Sequence, residues 1–147
     1  MKATAADGTG LPGGVRALVL FDGHCNLCTA SVQFIIARDK GCRFHFASLQ
    51  GSWAARNLPP QWRLRSDQDP ASVLLFQDGR FHSHSAAALE IARQLDGCWP
   101  LFDLCWLWPA FVRDAIYRWV ARHRYRWFGR QASCWLPTPE LRARFLD

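Results

Sequence analysis

Hydrophobic and polar positions alternate between two periods along this chain. Residues 15–21 (VRALVLF) form a short apolar run that ends at Asp22-Gly23, the pattern of a buried strand. From Asn26 to Lys40, Leu27, Val32, Ile35 and Ile36 recur at helical spacing, and Gly41 follows as a stop. Residues 43–48 alternate, with Phe44 and Phe46 on one face and Arg43 and His45 on the other, which predicts a second strand. A parallel pair is expected from this β-α-β order. A short helix is expected at 52–57, ended by Pro59-Pro60. Residues 72–77 (SVLLFQ) and 80–84 flank Asp78-Gly79, a two-residue hairpin signal. Ser85 is expected to cap a helix over 86–95, with Leu89, Ile91, Ala92 and Leu95 apolar. The order β-α-β-(α)-β-β-α specifies an α/β fold: a four-stranded mixed sheet with helices packed on it.

The rest reads as a helical extension from about residue 96. Pro109 suits the first turn of a helix reaching about His123, whose Val112, Ile116, Trp119 and Val120 share a face. Gly129 closes the next stretch, and Pro137 and Pro139 interrupt the remaining C-terminal residues. Residues 1–14, rich in Gly and Ala, are expected to be a disordered tail. The domain is expected over 15–137, with 138–147 as a C-terminal tail.

Composition narrows the class. The 147 residues are 50% hydrophobic, enough for one domain with a substantial core. Eight Trp and ten Phe demand burial or an interface. The formal charge of +6 permits anionic partners without requiring them. No apolar leader is visible at the N-terminus, and no run is long enough to span a bilayer. The six cysteines are therefore expected in a reducing cytoplasm, where Cys-x-x-Cys denotes redox or metal chemistry.

Cys25-Asn26-Leu27-Cys28 falls at the predicted strand-to-helix junction. Residues three apart on a helix face the same side, close enough for a disulfide after small adjustment. Free N–H groups and the positive dipole end at a helix N-terminus favour thiolate. Cys25 is thus expected to attack, with His24 adding positive charge, and Cys28, deeper in the helix, to resolve. Asp22 has two readings: a turn residue satisfying backbone N–H groups, or a partly buried carboxylate that accepts the Cys28 proton. The Cys pair has competitors too. It could be half of a zinc site completed by Cys42, His45, Cys98 or Cys134, or two packing cysteines. The strand–turn–helix setting favours redox chemistry.

These residues carry a resemblance. The segment 20–28 (LFDGHCNLC), Arg38-Asp39-Lys40, residues 44–49, the Ser85 helix, Pro109, Arg113-Asp114-Ala115, Tyr117, Arg122, residues 124–130 (RYRWFGR), Cys134 and Pro137 resemble the DCC family of thiol-disulfide oxidoreductases. The resemblance implies a thioredoxin-like fold and Asp22, Cys25 and Cys28 as signature residues. Two positions depart from the pattern: Ala86 stands where the family usually has an acid, and Pro70 is displaced from the cis-proline position of thioredoxins near Ala71-Ser72.

Protein-disulfide reductase activity is expected, with a disulfide-containing protein or small thiol as substrate and a thiol electron donor. No metal or organic cofactor is required. The arginines and aromatics of 113–130 are read as a helix whose rings pack on the sheet while its arginines are solvated or pair with Asp103 and Asp114, with no nucleic acid bound. The alternative is a non-catalytic protein-interaction or membrane-peripheral module, favoured by the Trp-rich run 98–111. Cys42, Cys98 and Cys105 are expected to be buried packing residues, and Cys134 structural. His45, His82, His84 and His123 are read as surface or satisfied.

Overall fold

The computed structural model describes residues 11, 15–23, 25–60, 73–129 and 137–146, without the side chains of His84, Pro100, Arg124 and Tyr125. Four strands, β1 (Ala17–Phe21), β2 (Phe44–Ser48), β3 (Val73–Gln77) and β4 (Arg80–Ser83), form one sheet in the order β2-β1-β3-β4. β1 pairs parallel with β2 and antiparallel with β3, so the sheet is mixed. The β3–β4 hairpin turns through Asp78 and Gly79 at φ 52° and 74°. Two successive positive φ angles match the twist of a two-residue hairpin, which explains the Asp-Gly pair.

β1 is buried on both faces, as its apolar run requires. Ala17, Val19 and Phe21 face a core shared with Phe44, Phe46 and Leu75. Helices α1 (Asn26–Arg38) and α3 (His84–Gln94) close that side with Val32, Ile35 and Ile91. Leu18 and Leu20 face the opposite core, covered by Trp53 and Ala54 of α2 (Ser52–Asn57) and by Leu58. Leu11 is buried in that second core; the other residues of the expected tail 1–14 lie outside the described residues.

Several local readings need correction. Ser83, not Ser85, holds the N-cap position of α3; Ser85 lies inside the first turn and its hydroxyl bonds the Asp114 carboxylate. Gly41 is not the left-handed residue after α1; Cys42 is, at φ 49°. Cys42 and Cys98 are exposed and Cys105 is half-buried, so none of the three is a packing cysteine. At the C-terminus, Arg144 is buried and reaches Asp39 at 2.5 Å, while the Leu146 N–H donates to the Phe46 carbonyl at 2.9 Å. Asp39 is fully buried and also accepts from the N–H groups of Arg43 and Phe44 at 3.1 and 2.9 Å. Burying a carboxylate is costly unless hydrogen-bond donors satisfy it, as these do.

The extension contains an irregular 3₁₀ stretch, Trp99–Leu107, and α4 (Ala110–Phe128). α4 packs on α1 and α3, not on the sheet. The expected buried face therefore splits: Val120 is half-buried, while Ile116 and Trp119 are exposed. Asp103 pairs with Arg93 of α3 at 3.6 Å, and Asp114 bonds the Ser85 hydroxyl.

Candidate active site

β1 ends at Phe21, and the chain turns through Asp22 and Gly23 before entering α1. The turn is held by its own backbone: the Cys25 N–H donates to the Asp22 carbonyl at 3.2 Å. Cys25 then occupies the N-cap of α1 with extended backbone (φ −92°, ψ 121°). In place of the usual Ser, Thr or Asp oxygen, its sulfur accepts the Cys28 N–H at 3.4 Å. The first turn of α1 contains no acidic residue, so nothing on that turn offsets the positive end of the helix. A sulfur there is both the acceptor for an otherwise unpaired N–H and the atom on which negative charge is best tolerated.

Both cysteines are buried, Cys25 at 0% and Cys28 at 1% exposure, which corrects the expectation that Cys28 lies deeper. The cover comes from the packing: both belong to the core on the α1 side of the sheet.

Asp22 is also buried, and its carboxylate Oδ1 accepts from Gln50 Nε2 at 2.8 Å. Sequence reasoning missed Gln50, yet it organises this end of the sheet. Its Oε1 accepts from the Gly23 N–H at 3.2 Å and from the Ser48 hydroxyl at 2.8 Å. One amide therefore ties the end of β2 to the turn that carries the cysteines. The available signal was its position as a polar residue just past the β2 segment.

Asn26 makes the second link. Its Nδ2 donates to the carbonyl of Phe128, the last residue of α4, at 2.7 Å. Gly129 comes next with φ +82°, and a Cβ there would lie 3.0 Å from Asn26 Nδ2. The close approach of the two helix ends thus requires glycine.

The other candidates do not gather at this site. Among the described residues, no three His, Cys, Asp or Glu side chains are placed to share a metal ion, and Cys42 and Cys98 are exposed. His24, Cys134 and the proline region 70–72 lie outside the described residues. His45 is on β2 and is not the satisfied histidine expected: its Nδ1 is buried without a hydrogen bond. Burial first, and the Arg144 guanidinium second, hold its pKa below the ordinary imidazole value, with Asp39 opposing.

A four-stranded mixed sheet with flanking helices and a Cys-x-x-Cys pair opening its first helix defines a thioredoxin-like thiol protein. Residues 19–130 match the family described as DCC1-like thiol-disulfide oxidoreductase, and the chain belongs to that family. It is 42% identical over 129 residues to "Uncharacterized protein YuxK" of Bacillus subtilis (strain 168), covering 88% of this chain and 93% of that protein. It is 38% identical over 123 residues to "DCC family protein At1g52590, chloroplastic" of Arabidopsis thaliana, covering 81% and 69%. No solved structure matches the chain.

Proposed function

We propose that the chain is a thiol-disulfide oxidoreductase of the protein-disulfide reductase type. The observation that carries this reading is the Cys25 sulfur at the N-cap of α1, accepting the Cys28 N–H. The Cys25 thiolate attacks one sulfur of a substrate disulfide and releases the other as a thiolate. Cys28 then attacks the Cys25 sulfur of the mixed disulfide, freeing the second substrate thiol and leaving a Cys25–Cys28 disulfide. A thiol donor returns that disulfide to the dithiol. Asp22, three residues before the nucleophile and buried, receives the Cys28 proton. Because Cys25 is fully buried, attack is preceded by a local opening that exposes its sulfur.

The test is equilibration in glutathione buffers of graded ratio, read by alkylation and mass spectrometry with metal content measured in parallel. The expected result is one two-electron transition confined to Cys25 and Cys28. Cys25→Ser abolishes exchange with a disulfide substrate, whereas Cys28→Ser accumulates the mixed disulfide. An unchanged rate in Cys25→Ser, or stoichiometric zinc on these thiols, overturns the reading.

A second reading concerns location. Every exposed large apolar side chain among the described residues falls between Leu101 and Phe128, in the stretch that also carries Arg113, Arg118, Arg122 and Arg126. Exposed Trp beside arginine suits the interface of an anionic bilayer. No helix among the described residues is long and apolar enough to cross a membrane. Peripheral attachment through the extension is compatible with the thiol chemistry.

A further inference from the structure

The packing of α4 on α1 and α3 leaves a cavity of about 520 Å³ among α1, α3, the Trp99–Leu107 stretch and α4. That volume falls within the range of small-molecule sites, roughly 300–1,000 Å³. Phe34 and Trp99, edge to face at 4.7 Å, form one wall; Ile91, Leu95 and Val120 belong to others. Among the described residues, no charged side chain lines it. The polar side chains of that lining are Cys28, Ser31, Tyr117 and, by its indole N–H, Trp99, and the Ser31 hydroxyl already donates to the Leu27 carbonyl at 2.8 Å.

Two features define the occupant. A lining without charge cannot compensate the desolvation of a phosphate, carboxylate or ammonium, so the occupant is uncharged. So few polar groups also hold water poorly, since a buried water needs about two to four hydrogen bonds. The cavity has direction as well. Phe102 lines it and is 46% exposed, amid the apolar belt of the extension, whereas Cys28 lines it and is 1% exposed. Cys28 therefore lies at the buried end of the lining, and Phe102, with Ala30 and Ala88, at its exposed rim.

We propose that this cavity binds an uncharged lipophilic small molecule, admitted from the apolar surface at Phe102, whose inner end lies against Cys28. The site stands apart from thiol exchange: binding needs neither Cys25 nor a substrate disulfide. When occupied, it shields Cys28 from the cavity side.

The full chain is titrated with N-phenyl-1-naphthylamine, an uncharged fluorophore that brightens in apolar surroundings. Saturable binding at one site is expected. Ala92→Phe, which projects a ring into the cavity, is expected to weaken binding roughly tenfold or more. If Ala92→Phe fails the circular-dichroism check for folding, Ala121→Leu on the α4 wall takes its place. Trp108→Ser, on the exposed belt outside the lining, is expected to leave the affinity unchanged. In a Cys25→Ser background, the fluorophore is expected to slow alkylation of Cys28 while leaving exposed Cys42 unaffected, as located by mass spectrometry. Non-saturable binding, equal binding by the filled variant, or unprotected Cys28 overturns the proposal. None of these outcomes bears on the glutathione equilibrium of the dithiol, so the two readings fail separately.

Discussion

Gln50 shows how much one side chain can organise near the Cys25–Cys28 pair. Its amide joins Asp22, Gly23 and Ser48 through three hydrogen bonds. Gln50→Ala removes a donor from a buried carboxylate, which is expected to cost about 1–3 kcal/mol, read as a lowered urea midpoint. Gln50→Glu is expected to cost more, because two carboxylates would then meet where the amide donated. His45 gives a pH signature. Its pKa is lowered in the folded protein by burial and Arg144, so the unfolded chain binds the proton more readily. Stability from this residue is complete above the unfolded value near 6.5 and is lost as pH falls through it toward the lower folded value. Urea midpoints measured between about pH 7.5 and pH 5 should fall, and His45→Leu should flatten that slope.

The elements matter through their ends. α1 begins beside the last residue of α4, and Asn26 spans the gap to the Phe128 carbonyl. Gly129 makes that approach possible twice over, by its positive φ and by lacking a Cβ that would crowd Asn26. Gly129→Ala is expected to destabilise the protein by about 1–2 kcal/mol from the left-handed backbone alone. A second consequence separates it from a generic loss: the alkylation rate of Cys25 in the folded protein should rise, since Asn26 adjoins Cys25 directly. Thermal melting and timed alkylation check the two effects, and Gly79→Ala, with no atom within 4 Å of an added Cβ, serves as the strain-only control.

At the scale of the molecule, two unlike surfaces share one small body. The sheet is enclosed on both faces, while the extension displays Leu101, Leu107, Trp108, Phe111 and Trp119 to solvent. Co-sedimentation with vesicles tests the membrane reading. Binding is expected with anionic phosphatidylglycerol vesicles, to weaken as salt rises, and to drop for Trp108→Ser with Phe111→Ser. Equal recovery with purely zwitterionic vesicles, or no recovery with either, counts against it. The C-terminal segment belongs to this scale as well: Arg144 and Leu146 fasten residues distant in sequence to the β2 edge and to Asp39.

The chain's own pattern determined the strands, the helices and the dithiol. Alternation in 43–48, the continuous run of β1 and Asp78-Gly79 are local signals, and they led to strands and a hairpin within a residue or two of the observed ends. Cys25 and Cys28 were legible for the same reason, since their spacing lies within one helical turn. What tertiary structure alone decided were the contacts between segments far apart. Gln50 beside Asp22, Asn26 beside Phe128 and Asp39 beside Arg144 have no short-range signature, because each depends on where a whole element docks. The face of α4 went the same way. Its apolar residues were consistent with covering the sheet, but α1 and α3 already fill that side, so α4 packs on the helices and leaves Ile116 and Trp119 outside. Periodicity states which residues can be buried; only the space left by the other elements decides which of them are.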